Sequence, residues 1–191
     1  VDMTCPIVKK LQFAVKSLSD NNYFVLIVGN ESHPEIIGAR SYANDNCLVV
    51  KNKDEVKKSA LKSKKIGIVA QTTIPIETFW DVVKTLKTFK GYEIKVIDTL
   101  CDDIHNKQKE SKEIAKDVDV MFVIGGKNSS NTKEIAELCK QVNSSTYQIE
   151  TCEEINELNL SLQDKVVGIS AGASTPPWLI KETIDRVLLN E

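Results

Sequence analysis

The chain has 191 residues, 41% of them hydrophobic, with five cysteines and a net charge of −2. That length allows one large domain or two small ones with ordinary cores, and the near-neutral charge removes any general attraction to nucleic acid or acidic lipid. No apolar run approaches the ~18–20 residues of a membrane span, the start carries no signal-peptide pattern, and an odd number of cysteines without a C-x-x-C pair argues against a disulfide framework and a zinc ribbon, so a cytoplasmic protein is expected.

The first half opens on Asp2-Met3-Thr4-Cys5-Pro6. Residues 11–18 have the apolar spacing of an amphipathic helix. Residues 24–28 form a continuous apolar run closed by Gly29-Asn30, as expected of a buried parallel strand. The segment Glu31-Ser32-His33-Pro34-Glu35 is then a loop, and a helix begins at residue 36. Residues 47–50 predict a short strand, 53–59 a short charged helix, and 66–70 a strand ending at Gln71-Thr72-Thr73. A helix over 76–89 carries Phe79, Val82, Val83 and Leu86 on one side, and 92–97 is a strand.

The second half opens on Asp98-Thr99-Leu100-Cys101 and repeats the order. A helix closes over 111–116, and a strand over 120–124 ends at Gly125-Gly126. A polar loop follows over 127–132, then a helix over 135–142 and a strand over 146–149. A charged helix over 152–158, a strand over 166–170, the loop Ala171-Gly172-Ala173-Ser174-Thr175 and a helix started by Pro176 complete the chain. Strand–helix alternation at this spacing predicts β-α-β units. The expected fold is α/β: two similar small domains, over 1–97 and 98–191, each a mainly parallel sheet flanked by helices. The strand over 92–97 leads into Cys101, whereas only Val1 precedes Cys5. The expectation is that an N-terminal portion belongs in front of this sequence.

Ligands of open parallel sheets bind beyond the carboxyl ends of the strands. Four such ends are rich in hydroxyls and amides: Ser32-His33, Gln71 to Thr73, Asn128 to Thr132, and Ser170 to Thr175. Most precede a helix, whose free N–H groups suit a phosphate, although Ser, Thr and Asn there also serve as ordinary N-caps. None is a Walker A loop or a G-x-G-x-x-G fingerprint. His33 and Glu35, held apart by Pro34, suit acid–base work or anion binding, or simply start a capped helix. Cys5 and Cys101 read singly as structural thiols, but their repetition favours ligation. Cys47, Cys139 and Cys152 lack counterparts and are expected in the core, and His105 is expected to face solvent.

Together, Thr4-Cys5-Pro6, His33-Pro34-Glu35, Gln71-Thr72-Thr73, Asp98-Thr99-Leu100-Cys101, Lys127-Asn128-Ser129-Ser130-Asn131-Thr132 and Ala171-Gly172-Ala173-Ser174-Thr175-Pro176 resemble the LytB-type family of 4-hydroxy-3-methylbut-2-enyl diphosphate reductases, in the family's order and across the whole chain. The resemblance implies a reductase of isoprenoid biosynthesis in the methylerythritol phosphate pathway, built from three α/β domains around a [4Fe–4S] cluster. It implies Cys5 and Cys101 as two cluster ligands, with the third in an N-terminal domain outside this sequence. It implies Glu35 and Thr72 as the catalytic pair, and His33, Ser129, Ser130, Asn131 and Ser174 as holders of the diphosphate. A reduced ferredoxin or flavodoxin would be the electron donor. After Cys101 the sequence departs from the family pattern with Asp102-Asp103. These residues alone are expected to be inactive, and the alternative expectation is a non-catalytic module of the same fold that binds diphosphate ligands.

Overall fold

Two runs of aliphatic and aromatic residues, Phe24–Val28 and Val120–Ile124, are buried along their whole length. Such runs cannot sit on a surface, and each becomes the central strand of a parallel sheet. The computed structural model describes residues 2–44, 46–57 and 61–189, and the chain divides into two compact units, Val1–Cys101 and Asp102–Glu191.

In the first unit the elements are α1 (Pro6–Asp20), β1 (Phe24–Val28), α2 (Pro34–Arg40), β2 (Cys47–Val50), a 3-10 turn (Lys53–Glu55), β3 (Lys65–Ala70), α3 (Ile76–Lys87) and β4 (Glu93–Val96). All strand pairs are parallel, in the order β2-β1-β3-β4. Alternate side chains of β1 serve two cores, as the pleat requires. Val25 and Ile27 join Leu11, Val15 and Leu18 of α1 and Ile36 of α2. Phe24, Leu26 and Val28 join Phe79, Val82, Val83 and Leu86 of α3.

The second unit contains α4 (Asp102–Lys116), β5 (Val120–Ile124), α5 (Ser130–Lys140), β6 (Thr146–Ile149), α6 (Glu154–Glu157), β7 (Val167–Ala171) and α7 (Pro177–Leu189). Its sheet is parallel in the order β6-β5-β7. Met121 and Val123 pack with Ala115 of α4 and Ile135, Ala136 and Cys139 of α5. Val120, Phe122 and Ile124 pack with Ile155, Leu179 and Val187.

In both sheets the central strand is followed by its neighbour on one side and later by its neighbour on the other. The chain therefore reverses direction across the sheet at β1/β3 in one unit and at β5/β7 in the other. These are the switch points at which open parallel sheets bind ligands.

The elements depart from the sequence expectations in identifiable ways. The helix expected over 11–18 starts at Pro6, because proline is suited to the first helical position, where no N–H is needed. The charged helix expected over 53–59 is only the turn Lys53–Glu55, since Asn52 caps it through Asp54 N–H and Val56 is extended and buried. Its expected end, Ser59, lies outside the described residues. The charged helix expected over 152–158 contracts to Glu154–Glu157.

The repeat boundary expected at 97/98 falls four residues later, because Asp98–Cys101 is tied to the end of β3. Thr99, with no exposed surface, donates its hydroxyl to Ala70 O (2.7 Å) and accepts from Ala70 N (2.9 Å). Cys101 N then donates to Thr72 O at 3.1 Å. The side chain of Thr99 thus does what a neighbouring strand would do for Ala70. Thr99→Val would leave two buried backbone groups unpaired, each at about 1–3 kcal/mol. The expected loss is about 2–6 kcal/mol, seen in urea unfolding as a lowered midpoint at unchanged slope, with Thr99→Ser close to the wild type.

Candidate functional site

At the β1/β3 switch point Pro34 opens α2 and fixes the backbone so that Glu35 turns inward. Glu35 is only 9% exposed. Its Oε1 accepts from Thr72 N at 2.9 Å, and its Oε2 accepts from Thr72 Oγ1 at 3.1 Å. Thr72 is itself buried, in the turn after β3. Burial pushes the Glu35 carboxyl above the usual carboxylate range; the two bonds from Thr72, and the nearby His33, pull the other way without cancelling it.

His33 caps α2, its Nδ1 accepting from Glu35 N at 3.2 Å. A neutral imidazole in that arrangement carries its proton on Nε2, the nitrogen left for a ligand. Gln71 braces the same corner: its Oε1 accepts from Asn30 N at 2.9 Å, and its Nε2 donates to Thr73 Oγ1 at 3.0 Å. A Cβ on Gly29 would lie 2.8 Å from Gln71 Cβ, so the strand end and the amide can meet only because residue 29 is glycine. Nothing in the sequence beyond the Q-T-T run at a strand end marked Gln71 as a brace.

The two motif cysteines stand in matching settings. Thr4 N donates to Asp2 Oδ1 at 3.0 Å, and Leu100 N donates to Asp98 Oδ1 at 3.0 Å, so the same side-chain-closed turn leads into each. Cys5 directly precedes α1 and is exposed, whereas Cys101 directly precedes α4 and is half-buried. Both are free thiols, the donor type that holds iron–sulfur clusters. Among the described residues no three His, Cys, Asp or Glu side chains gather as a metal site.

The remaining cysteines follow their expected course only in part. Cys139 and Cys152 are buried, and burial raises the Cys139 thiol to about 11. Cys47, on the edge strand β2, is only half-buried. His105, expected to face solvent, is half-buried too, because α4 turns that side of its first two turns partly inward.

At the β5/β7 switch point Ser129 caps α5, its hydroxyl accepting from Thr132 N at 3.3 Å. Ser129 and Ser130 are half-buried, Asn131 is buried and Ser174 is exposed. Neither polar atom of the Asn131 amide has a partner. An unpaired buried polar group costs about 1–3 kcal/mol and calls for a ligand or water. Lys127 in the same loop is held by Glu154 at 2.7 Å, so the groups left for a ligand are neutral donors and helix N–H groups. Gly125, at φ +144°, adopts a backbone conformation closed to other residues.

Two parallel α/β units with hydroxyl- and amide-bearing strand ends, and thiols at the heads of α1 and α4, place the chain in the class of open-sheet α/β proteins. Residues 1–188 match the family model described as LytB protein, and the chain belongs to that family. It is 46% identical over 187 residues to a protein named 4-hydroxy-3-methylbut-2-enyl diphosphate reductase from Geobacter sulfurreducens, covering 98% of this chain and 65% of the relative. It is 43% identical over 190 residues to the protein of the same name from Aquifex aeolicus, again over 98% of this chain and 65% of the relative. The chain thus spans just under two thirds of the length of these curated relatives. A solved Plasmodium falciparum E-1-hydroxy-2-methyl-but-2-enyl-4-diphosphate reductase aligns over 100% of this chain and 60% of its own, with a TM-score of 0.85 and 25% identity.

The raised carboxyl of Glu35 has a consequence for stability. The folded chain holds the Glu35 proton more tightly than the unfolded chain, so its contribution is present below the ordinary value of 4.5 and is lost as pH rises through the folded value. Glu35→Gln keeps an acceptor for Thr72 N–H and a polar partner for Thr72 Oγ1 without the charge. Thermal unfolding between pH 4 and pH 8 is expected to show this variant gaining on the wild type as pH rises, with little difference at the acid end.

Proposed function

We propose that this chain supplies the acid–base pair, two cluster thiolates and the phosphate-binding loops of a reductase acting on 4-hydroxy-3-methylbut-2-enyl diphosphate. The reaction replaces the substrate's hydroxyl by hydrogen, taking up two electrons and two protons and releasing water, to give isopentenyl and dimethylallyl diphosphate in isoprenoid biosynthesis. The observation that carries the reading is the buried Glu35 carboxyl bound twice by Thr72. It is supported by family membership and by the printed names of the relatives.

Glu35 is the proton source. Its Oε1 is committed as acceptor to the Thr72 N–H, so in the neutral acid the proton would sit on Oε2 and the bond to Thr72 Oγ1 would reverse, Glu35 donating and the threonine accepting. The Thr72 hydroxyl can take that proton while giving its own to a leaving hydroxyl, a relay of two short steps. Burial shifts the Glu35 carboxyl toward its protonated form, the direction a proton donor needs. In the first unit His33, through Nε2, and in the second unit Ser129, Ser130, Asn131 and Ser174 offer neutral donors suited to a diphosphate.

Cys5 and Cys101 would hold two irons of a [4Fe–4S] cluster, which when bound supplies the electrons and a Lewis-acid iron. The third thiolate would come from outside these residues. The Thr72 peptide joins the two functions, since its N–H holds Glu35 and its C=O holds Cys101 N. The electron donor would be a reduced ferredoxin or flavodoxin, and the setting cytoplasmic.

Anaerobic reconstitution of the 191-residue chain with iron and sulfide tests this reading. The expected result is iron uptake without turnover of the diphosphate, lost in Cys5→Ser and Cys101→Ser and retained in Cys139→Ser. Uptake indifferent to both motif cysteines would remove the cluster assignment. A stable four-iron cluster with full turnover would overturn the expectation that two thiolates are insufficient.

A further inference from the structure

Among the described residues, the buried side-chain nitrogen and oxygen atoms without a hydrogen-bond partner are three: both polar atoms of the Asn131 amide, and Thr132 Oγ1. Asn131 belongs to the diphosphate set already described, and Thr132 does not. Thr132 is the third residue of α5 and 1% exposed. Its backbone N–H is taken by Ser129 Oγ.

The Thr132 hydroxyl lies against two glycines at the β5/β7 switch point. A Cβ built on Gly125 would lie 2.8 Å from Thr132 Oγ1, and one built on Gly172 would overlap it. Thr175 Oγ1 would also be 2.8 Å from the Gly125 Cβ, but that hydroxyl donates to Ile124 O at 2.9 Å. Of the two hydroxyls beneath the glycines, one is committed to the backbone and one is free. Valine has nearly the shape of threonine and would fill the same space without leaving a hydroxyl unpaired. A polar group kept where an apolar one would be more stable points to a partner that arrives with the ligand.

We propose that Thr132 is a further anion-binding residue of this site, its O–H, which sits where Cβ atoms of Gly125 and Gly172 would otherwise be, the donor that engages the phosphate end of the ligand directly or through one bound water. The inference rests on the assignment of the diphosphate to Ser129, Ser130, Asn131 and Ser174. Phosphate oxygens only accept, and a threonine hydroxyl with no other acceptor is free to turn toward them.

Titration calorimetry with inorganic diphosphate, alongside thermal unfolding, tests it on the wild-type chain, Thr132→Val and Thr132→Ser. Thr132→Val is expected to melt a few degrees higher and to bind diphosphate about tenfold or more weakly. Thr132→Ser, which keeps the hydroxyl, is expected to bind within about threefold of the wild type. Wild-type affinity in Thr132→Val overturns the inference and leaves the diphosphate assignment standing. Equal loss in both variants with lowered melting shows a role of shape alone and also overturns it. No binding by the wild-type chain overturns the assignment and the inference together.

Discussion

The carboxyl of Glu35 is taken out of water and given one neighbour, Thr72, in exchange. Much of the first unit's ligand end follows from that bond pair. The carboxyl can be buried only because Pro34 sets the helix start and the turn after β3 offers both a backbone N–H and a hydroxyl. That turn is fixed in its own right by Gln71, which reaches across to Asn30, and by Cys101 N on Thr72 O. Removing any one of these loosens a group whose burial is tolerable only while it is satisfied. The arrangement ties the strand ends β1 and β3, a buried carboxyl and a thiol-bearing segment into one hydrogen-bonded corner.

The internal repeat is more local than its sequence suggested. Both D-x-x-C frames fold as the same turn before a fifteen-residue helix, and both central strands run five residues. The two switch points have nonetheless been put to different chemical use. One holds a buried acid, and the other holds hydroxyls, an amide and helix N–H groups around two glycines. Proton supply and phosphate binding ask for opposite surroundings, a group kept from water in one case and converging donors in the other. On the proposed function, a duplicated scaffold supplies both without a new fold.

Several elements were legible because local physics decides them. The runs 24–28, 47–50, 120–124 and 146–149 emerge as strands at their expected limits, since a short apolar run bounded by polar turns has few other places to go. His33, Glu35, Thr72 and Asn131 stand at strand ends, where parallel sheets put their ligands. Long-range pairing was not legible. Nothing near Thr99 announces that its hydroxyl will bracket Ala70, so the sequence pattern points to a division at 97/98, whereas the chain divides after Cys101. The role of Gly172 depends on Thr132, forty residues earlier, and the brace made by Gln71 depends on Gly29. Side-chain partners set by tertiary contact leave no periodic trace.

The wholly buried central strands also bear on how the chain comes to be folded. FVLIV and VMFVI are short, uncharged and strongly β-forming, the composition of segments that self-associate when left uncovered. Strand β1 is paired on both sides only once β3, ending at Ala70, has been made. During synthesis it therefore waits through some forty residues with one edge open. Within this interval lies a lysine-rich stretch, from Lys51 to Lys65, the like-charged composition that opposes self-association of a neighbouring apolar strand.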